Sequence, residues 1–403
     1  MRCLRYFLHD SYQHKLRLFA QSKSERYEDT IDSYKKIFIA QLRIAKDSCN
    51  NECINKEQCA KFKEVVNGID ETSIENFFDE LKNIYLDWIN ANTSNAITKF
   101  KNLMVEYELF QFSKPLKKHE VYFKGRKTEQ VITKWDMFHI PFNKRYLINN
   151  QRFSLTGQPM VYIGSSVLNV AKEIESDDVK KIKFSTFQVK EDSLKIYDLK
   201  NNFIETETDI IVGDLLETPD NGYTSAKFFK IILASVCSFQ KRQELSGYSF
   251  CEEYVLPQIL AQILKTEEFN GVSYNSTKRY ENIANTCENN NFNDDYYKEN
   301  IAIFTELNTE HVYDKNLYDK LSISVPINFE KIFSVTKDDL QDITNQIEKT
   351  KSQEKITLSE IILKSFERKF ADILIEGEEY CNTDYGKMHM YLLYTVLNDI
   401  LVK

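Results

Sequence analysis

Residues 152–174, RFSLTGQPMVYIGSSVLNVAKEI, bring together a guanidinium, a phenol, three serine hydroxyls and a carboxylate. Arg152 precedes a turn built on Gly157 and Pro159, and the run Met160 to Ile163 then reads as a short strand carrying Tyr162. Ser165 or Ser166 is a good cap for a following helix. If Ser166 is the cap, Glu173 lies about two turns in, on nearly the same helical face and beside Val170. There its fixed negative charge either sits at the solvated edge of an apolar stripe or is aimed into a cleft. Further groups that bear on chemistry are Lys124 and Arg126 in VYFKGR, His139 in MFHIPF and Ser276 in FNGVSYNSTK. By residue type alone Arg126 reads equally as a solvated charge, Tyr162 as core, Ser276 as a turn residue and His139 as a structural or pocket-lining histidine.

The elements that must position these groups follow from where the backbone turns. Five of the six prolines and seven of the ten glycines fall between Pro115 and Gly271, so the flanks are helical and the middle is not. In DETSIENFFDELKNIYLDWINA, Ile74, Phe77, Phe78, Leu81, Ile84, Tyr85 and Trp88 recur at helical spacing behind an expected capping box of Thr72 and Glu75. After Pro115, EVYFKG, DMFHIPF, PMVYIGS, IKFSTFQV, LKIYDL, DIIVGDL, GVSYNS and IAIFTE read as short strands. SVLNVAKEIES, SAKFFKIILASVCSF and CEEYVLPQILAQILKTEEF read as helices among them, TCENNNFNDDYYKEN as a surface loop, and the chain from about Asp338 onward as helical again. This predicts an α+β protein in three segments: a helical domain over 1–114, a catalytic domain over 115–335, and C-terminal helices over 336–403.

Composition excludes several classes. With 403 residues, 42% apolar and 28% charged, the chain is of globular type and large enough for two or three domains. A net charge of −8 argues against wholesale binding of nucleic acid, although local basic patches remain open. No apolar run is long enough to span a bilayer and the N-terminus lacks a signal-peptide pattern, so no membrane association and a cytoplasmic location are expected. Eight scattered cysteines suit a reducing compartment; Cys49, Cys53 and Cys59 lack the paired knuckles of a zinc module, and no metal site is expected. Neither GxGxxG nor GxxxxGK[ST] occurs, which disfavours Rossmann and P-loop chemistry.

Several ordered blocks resemble the RES family. RFSLTGQPMVYIGSSVLNVAKEI resembles its turn, strand and glutamate-bearing helix; YVLPQILAQILKTEEFNGVSYNST is similar to its second signature; VYFKGR, IKFSTFQVKEDSLKIYDL and ENIAIF fit intermediate and closing blocks. The resemblance covers roughly residues 118 to 306 and neither helical flank. It implies an ADP-ribosyltransferase-like core that takes NAD+ as substrate, with no separate cofactor, and breaks its nicotinamide–ribose bond. The family's Arg, Glu and Ser correspond to Arg152, Glu173 and Ser276. On that reading Glu173 stabilises the oxocarbenium-like ribose, Ser276 hydrogen-bonds the ribose or places the attacking water or phosphate, and Arg152 and Arg126 contact phosphate. Tyr162 stacks on the nicotinamide and His139 lines the pocket. Lys124 stands where the family usually has arginine, and it supplies charge without the bidentate fork.

The resemblance further implies a toxin of a toxin–antitoxin pair or of abortive anti-phage defence, so a protein inhibitor, a phage trigger or self-association are the expected partners. Rival readings are a mono-ADP-ribosyltransferase acting on a macromolecule, a HEPN-type ribonuclease built on Arg2 and His9, and a non-catalytic NAD sensor.

Overall fold

The computed structural model describes residues 4–21, 26–48, 56–176, 178–200, 224–242, 250–278, 283–285, 298–370 and 373–402. In chain order the helices are α1 (Leu4–Phe7), α2 (Asp10–Gln21), α3 (Tyr27–Ser48), α4 (Lys56–Gly68), α5 (Glu71–Ile89), α6 (Thr93–Glu106), α7 (Lys134–Met137), α8 (Val167–Glu173), α9 (Ser225–Val236), α10 (Val255–Thr266), α11 (Lys315–Asp319), α12 (Lys337–Glu348), α13 (Gln353–Phe370) and α14 (Asp384–Val402). The strands are β1 (Ser113–Pro115), β2 (Val121–Lys127), β3 (Met160–Gly164), β4 (Ile182–Val189), β5 (Lys195–Asp198), β6 (Gly271–Asn275), β7 (Ile283–Asn285), β8 (Glu299–Phe304), β9 (Leu321–Ile323), β10 (Ile327–Asn328), β11 (Ile373–Ile375) and β12 (Glu378–Glu379). The protein is α+β.

Contacts divide the chain into two units that interleave its segments. One holds Met1–Ser113, Asn149–Thr156 and Tyr197–Thr277; the other holds Lys114–Ile148, Gly157–Ile196 and Lys278–Lys403. Residues 149–156 and 197–277 thus group with the N-terminal helices, and the C-terminal helices group with the central strands.

The first unit is held by aromatic side chains at helical spacing. Phe38 of α3 meets Phe78 of α5 and Phe228 of α9 with ring centroids 5.7 and 6.0 Å apart, and Phe77 of α5 meets Phe229 of α9 at 5.1 Å. Tilted and edge-on pairs of this kind each contribute about 0.5–1.5 kcal/mol beyond their area. Helix α9 is buried from Ala226 to Val236, which is why its sequence is apolar on every side. Helix α5 begins two residues earlier than its sequence suggests. Asp70 occupies the cap position in extended conformation and makes no side-chain cap hydrogen bond, so the expected Thr72–Glu75 capping box does not form.

The second unit contains strands in the order β8-β3-β2-β4-β10, with β9 also on β4, and the pairs are antiparallel. Register places Phe123 opposite Gly164, and Gly164 opposite Asn300. Successive side chains on a strand point to opposite faces. One face therefore carries Phe123 and packs with α8, α12, α13 and α14. The other carries Tyr122, Val161, Ile163, Ile301 and Ile303 and packs with Met137, Phe138 and Leu317.

Two glycines let α8 approach the sheet. A Cβ at Gly125 of β2 would lie 2.7 Å from Val170 Cγ1, and one at Gly164 of β3 would lie 2.9 Å from Val170 Cγ2. Both contacts are closer than side chains tolerate, so glycine is required by proximity.

Two expectations need correction here. DMFHIPF is not a strand: Thr133 and Asp136 form a capping box for α7, and a 3-10 turn over Phe142–Leu147 follows Pro141. The C-terminal region is not helical throughout, because Ile373–Ile375 forms β11 against β12 and β7. DIIVGDL, most of TCENNNFNDDYYKEN, Arg2, Cys49 and Cys53 lie outside the described residues, as does the side chain of Cys59.

Candidate functional site

A chain of side-chain amides positions Glu173. Ser166 caps α8 in extended conformation, and its hydroxyl accepts the Asn169 N–H at 3.0 Å. Asn169 is fully buried, and its Nδ2 donates to the Asn300 Oδ1 at 2.8 Å and to the Glu299 carbonyl at 2.9 Å. The carbonyl end of the Asn300 amide is thereby committed to Asn169. Its Nδ2 faces the other way and donates to Glu173 Oε1 at 2.7 Å. A flip of the Asn300 amide would set oxygen against the carboxylate and nitrogen against nitrogen, so the network itself fixes its orientation.

Glu173 is the last residue of α8 and is exposed. The C-terminal end of a helix is the unfavourable end for a negative charge, and the Asn300 N–H offsets this. The outcome is a solvent-facing carboxylate held by a donor on an adjacent strand. Asn169 and Asn300 carry this arrangement, and neither was singled out in the sequence. Their signal was an asparagine interrupting the apolar face of SVLNVA and another opening the strand ENIAIF.

The pleat sorts the remaining expected residues of this unit. Tyr162 lies on β3 two residues from Gly164, on the α8 face, and its hydroxyl is 3.6 Å from Met160 Sδ. Lys124 and Arg126 alternate with Phe123 and Gly125 and so leave β2 by the opposite face. Lys124 Nζ donates to the Phe138 carbonyl, and Arg126 Nη1 donates to the Asp136 carbonyl at 3.2 Å. Burial, with Arg126 nearby, pushes Lys124 down to about 7.

His139 is also on that opposite side. It is buried against Phe138, Phe142 and Tyr313, its Nε2 accepts the Asp314 N–H at 3.0 Å, and its Nδ1 pairs with the Ile140 carbonyl at 2.8 Å. Burial drives its pKa down to about 4, so the ring is neutral and both nitrogens serve the backbone. The structure thus brings Tyr162 and Glu173 to one face and holds Lys124, Arg126 and His139 on the other.

Arg152 and Ser276 belong to the first unit. Arg152 is buried; Nη1 donates to the Cys237 carbonyl at 2.8 Å, Nη2 donates to Thr277 Oγ1 at 3.2 Å, and the guanidinium lies 5.0 Å from the Tyr254 ring centroid. Ser276 is buried beside Thr277, just after β6, and the Gln240 side chain donates to the Thr277 carbonyl. Arg152 therefore ties the C-terminal end of α9 to the turn that carries Ser276. Gln258 of α10 holds the Arg152 segment in turn, donating to Asn150 Oδ1 at 2.6 Å and to the Gln151 carbonyl at 2.9 Å.

Chemically, these groups offer fixed charge and hydrogen bonds. Among the described residues no group of three or more His, Cys, Asp or Glu side chains could hold a metal ion. Among them, too, no helix is long and apolar enough to cross a membrane.

Comparison with known proteins gives a partial likeness. Over 153 residues the chain is 33% identical to "Putative toxin YopC" of Bacillus subtilis (strain 168), which covers 37% of this chain and 34% of that protein. The chain thus spans about a third of the length of that relative. No family model matches the chain. No solved structure matches it.

Proposed function

We propose that this protein is a toxin-like enzyme that consumes NAD+ by breaking its nicotinamide–ribose bond. The observation that carries the reading is the Glu173 carboxylate, exposed to solvent and oriented by the Asn300 amide at 2.7 Å. Departure of nicotinamide with the bonding electron pair leaves a cationic, oxocarbenium-like ribose. A carboxylate fixed in advance interacts more strongly with that cation than with the ground state, which is the condition for catalysis. Water adding to the cation gives ADP-ribose and a proton; inorganic phosphate adding instead gives ADP-ribose 1-phosphate.

Tyr162, on the same face as Glu173, offers the ring on which nicotinamide stacks. No weight falls on Lys124, Arg126 or His139, whose side chains lie on the other side of the sheet. Arg152 and Ser276 belong to the other unit, where Arg152 acts through Thr277 to position the turn that carries Ser276, and the NAD+ reading rests on Glu173 and Tyr162. The partial likeness to a protein named as a toxin supports the toxin-like role, and the RES resemblance of the ordered motifs supports NAD+ as substrate. The test is nicotinamide release from NAD+ by purified protein, in phosphate and in phosphate-free buffer, set against Glu173→Gln. Absence of release in both buffers removes the reading.

A further inference from the structure

The net charge of −8 conceals a strongly basic stretch. Residues 114–148 contain nine lysines and arginines against Glu120, Glu129 and Asp136, so the remainder of the chain is more acidic than the total suggests. This stretch is a continuous part of the second unit and supplies the surface on the side of the sheet away from Glu173.

The cations there converge with exposed rings. Lys134 Nζ lies 5.3 Å from the Tyr318 ring centroid and 6.0 Å from that of Trp135, and Trp135 stacks on Tyr318 at 4.2 Å and 18°. Trp135 is 38% exposed and Tyr146 81% exposed. Arg126, Lys134, Lys144 and Arg145 are all exposed. Asp136 is the acid set among them. Its carboxyl is held below the usual range first by the Thr133 N–H and then by the Thr133 hydroxyl, Arg126 and Lys144, so it stays ionised and cancels part of the positive charge.

We propose that this surface binds single-stranded nucleic acid, with Arg126, Lys134, Lys144 and Arg145 on phosphates and Tyr146 and Trp135 against bases. Charge complementarity selects a polyanion, and flat rings standing among cations select one that also presents aromatic faces. An acidic polypeptide satisfies the first condition only. This surface does not depend on the NAD+ reading, since Glu173 and Tyr162 lie on the opposite face of the sheet.

The test is fluorescence anisotropy of the full chain with a fluorescein-labelled dT12 strand over a range of salt. Neutralising about four phosphates gives a log–log slope of about −3 with salt for a single strand. Lys144→Glu with Arg145→Glu is expected to weaken binding at least tenfold and to flatten the slope. Tyr146→Ala is expected to weaken binding severalfold with the slope unchanged, which a purely electrostatic contact would not show. Circular dichroism and the thermal midpoint of each variant establish that it is folded; all three are exposed positions. Overturning results are no dT12 binding at low salt, binding unaffected by the charge reversals, or poly-glutamate or duplex DNA of equal charge binding as tightly as dT12.

Discussion

The Asn300 amide is pinned by Asn169 at 2.8 Å on its oxygen and donates to Glu173 at 2.7 Å from its nitrogen. The orientation of the carboxylate is therefore set from inside the protein, by a residue that does not itself need to touch substrate. Removing the donor separates the presence of the charge from its placement. Asn300→Ala is expected to lower kcat for nicotinamide release by about 10²-fold, the scale of a misplaced catalytic group, with KM little changed. Asn300→Asp sets a second carboxylate beside Glu173, which raises the pKa of the pair and moves the activity profile to higher pH. Steady-state kinetics from pH 5 to 9 read both effects.

Gly164 couples the packing of α8 to the same network. A Cβ there would lie 2.9 Å from Val170 Cγ2, 3.1 Å from Asn169 Nδ2 and 3.4 Å from Asn300 Oδ1. Gly164→Ala is expected to cost about 1–3 kcal/mol, as overpacking does, and to lower activity in the protein that remains folded. Urea unfolding gives the first quantity, and the rate per folded molecule gives the second.

His139 makes stability depend on pH. Its folded pKa of about 4 lies below the ordinary value of 6.5, so between those values the unfolded chain binds more protons. Stability is full above pH 6.5 and is lost as pH falls toward 4, by roughly 3 kcal/mol for a shift of this size. The urea midpoint of the wild type is expected to fall over that window. His139→Gln, which cannot charge, is expected to lose most of that slope.

Arg152 is buried on the Cys237 carbonyl, Thr277 and Tyr254. Lysine keeps the charge and loses the planar fork, so Arg152→Lys is expected to cost about 1–3 kcal/mol through unpaired buried groups. Calorimetry measures the loss. If the stability is unchanged, the positioning role given to Arg152 is wrong.

Much of the framework was legible because it rests on local rules. The period of Phe77, Phe78 and Leu81 gave α5, the Ser166 cap gave the start of α8, and the β-branched and aromatic run EVYFKG gave β2. What escaped the sequence depends on contacts between distant residues. Asp70 displaced Thr72 as cap at the first turn of α5, and DMFHIPF, apolar enough for a strand, was diverted by the Thr133–Asp136 box and by Pro141. The spacing of Glu173 placed it beside Val170, but its anchor lies 127 residues away on β8, where no periodicity points to it. Lys124 and Tyr162 read alike as site residues, and their separation required the register of Phe123 with Gly164. The whole-chain charge likewise masked the basic stretch from Lys114 to Ile148.

The most direct measurement is nicotinamide release from NAD+ by the wild type and by Glu173→Gln, each shown to be folded by its thermal midpoint. The account predicts steady release by the wild type and a fall of about 10²–10³-fold in the variant, the scale of losing a principal electrostatic group. Equal turnover by the two proteins would contradict it.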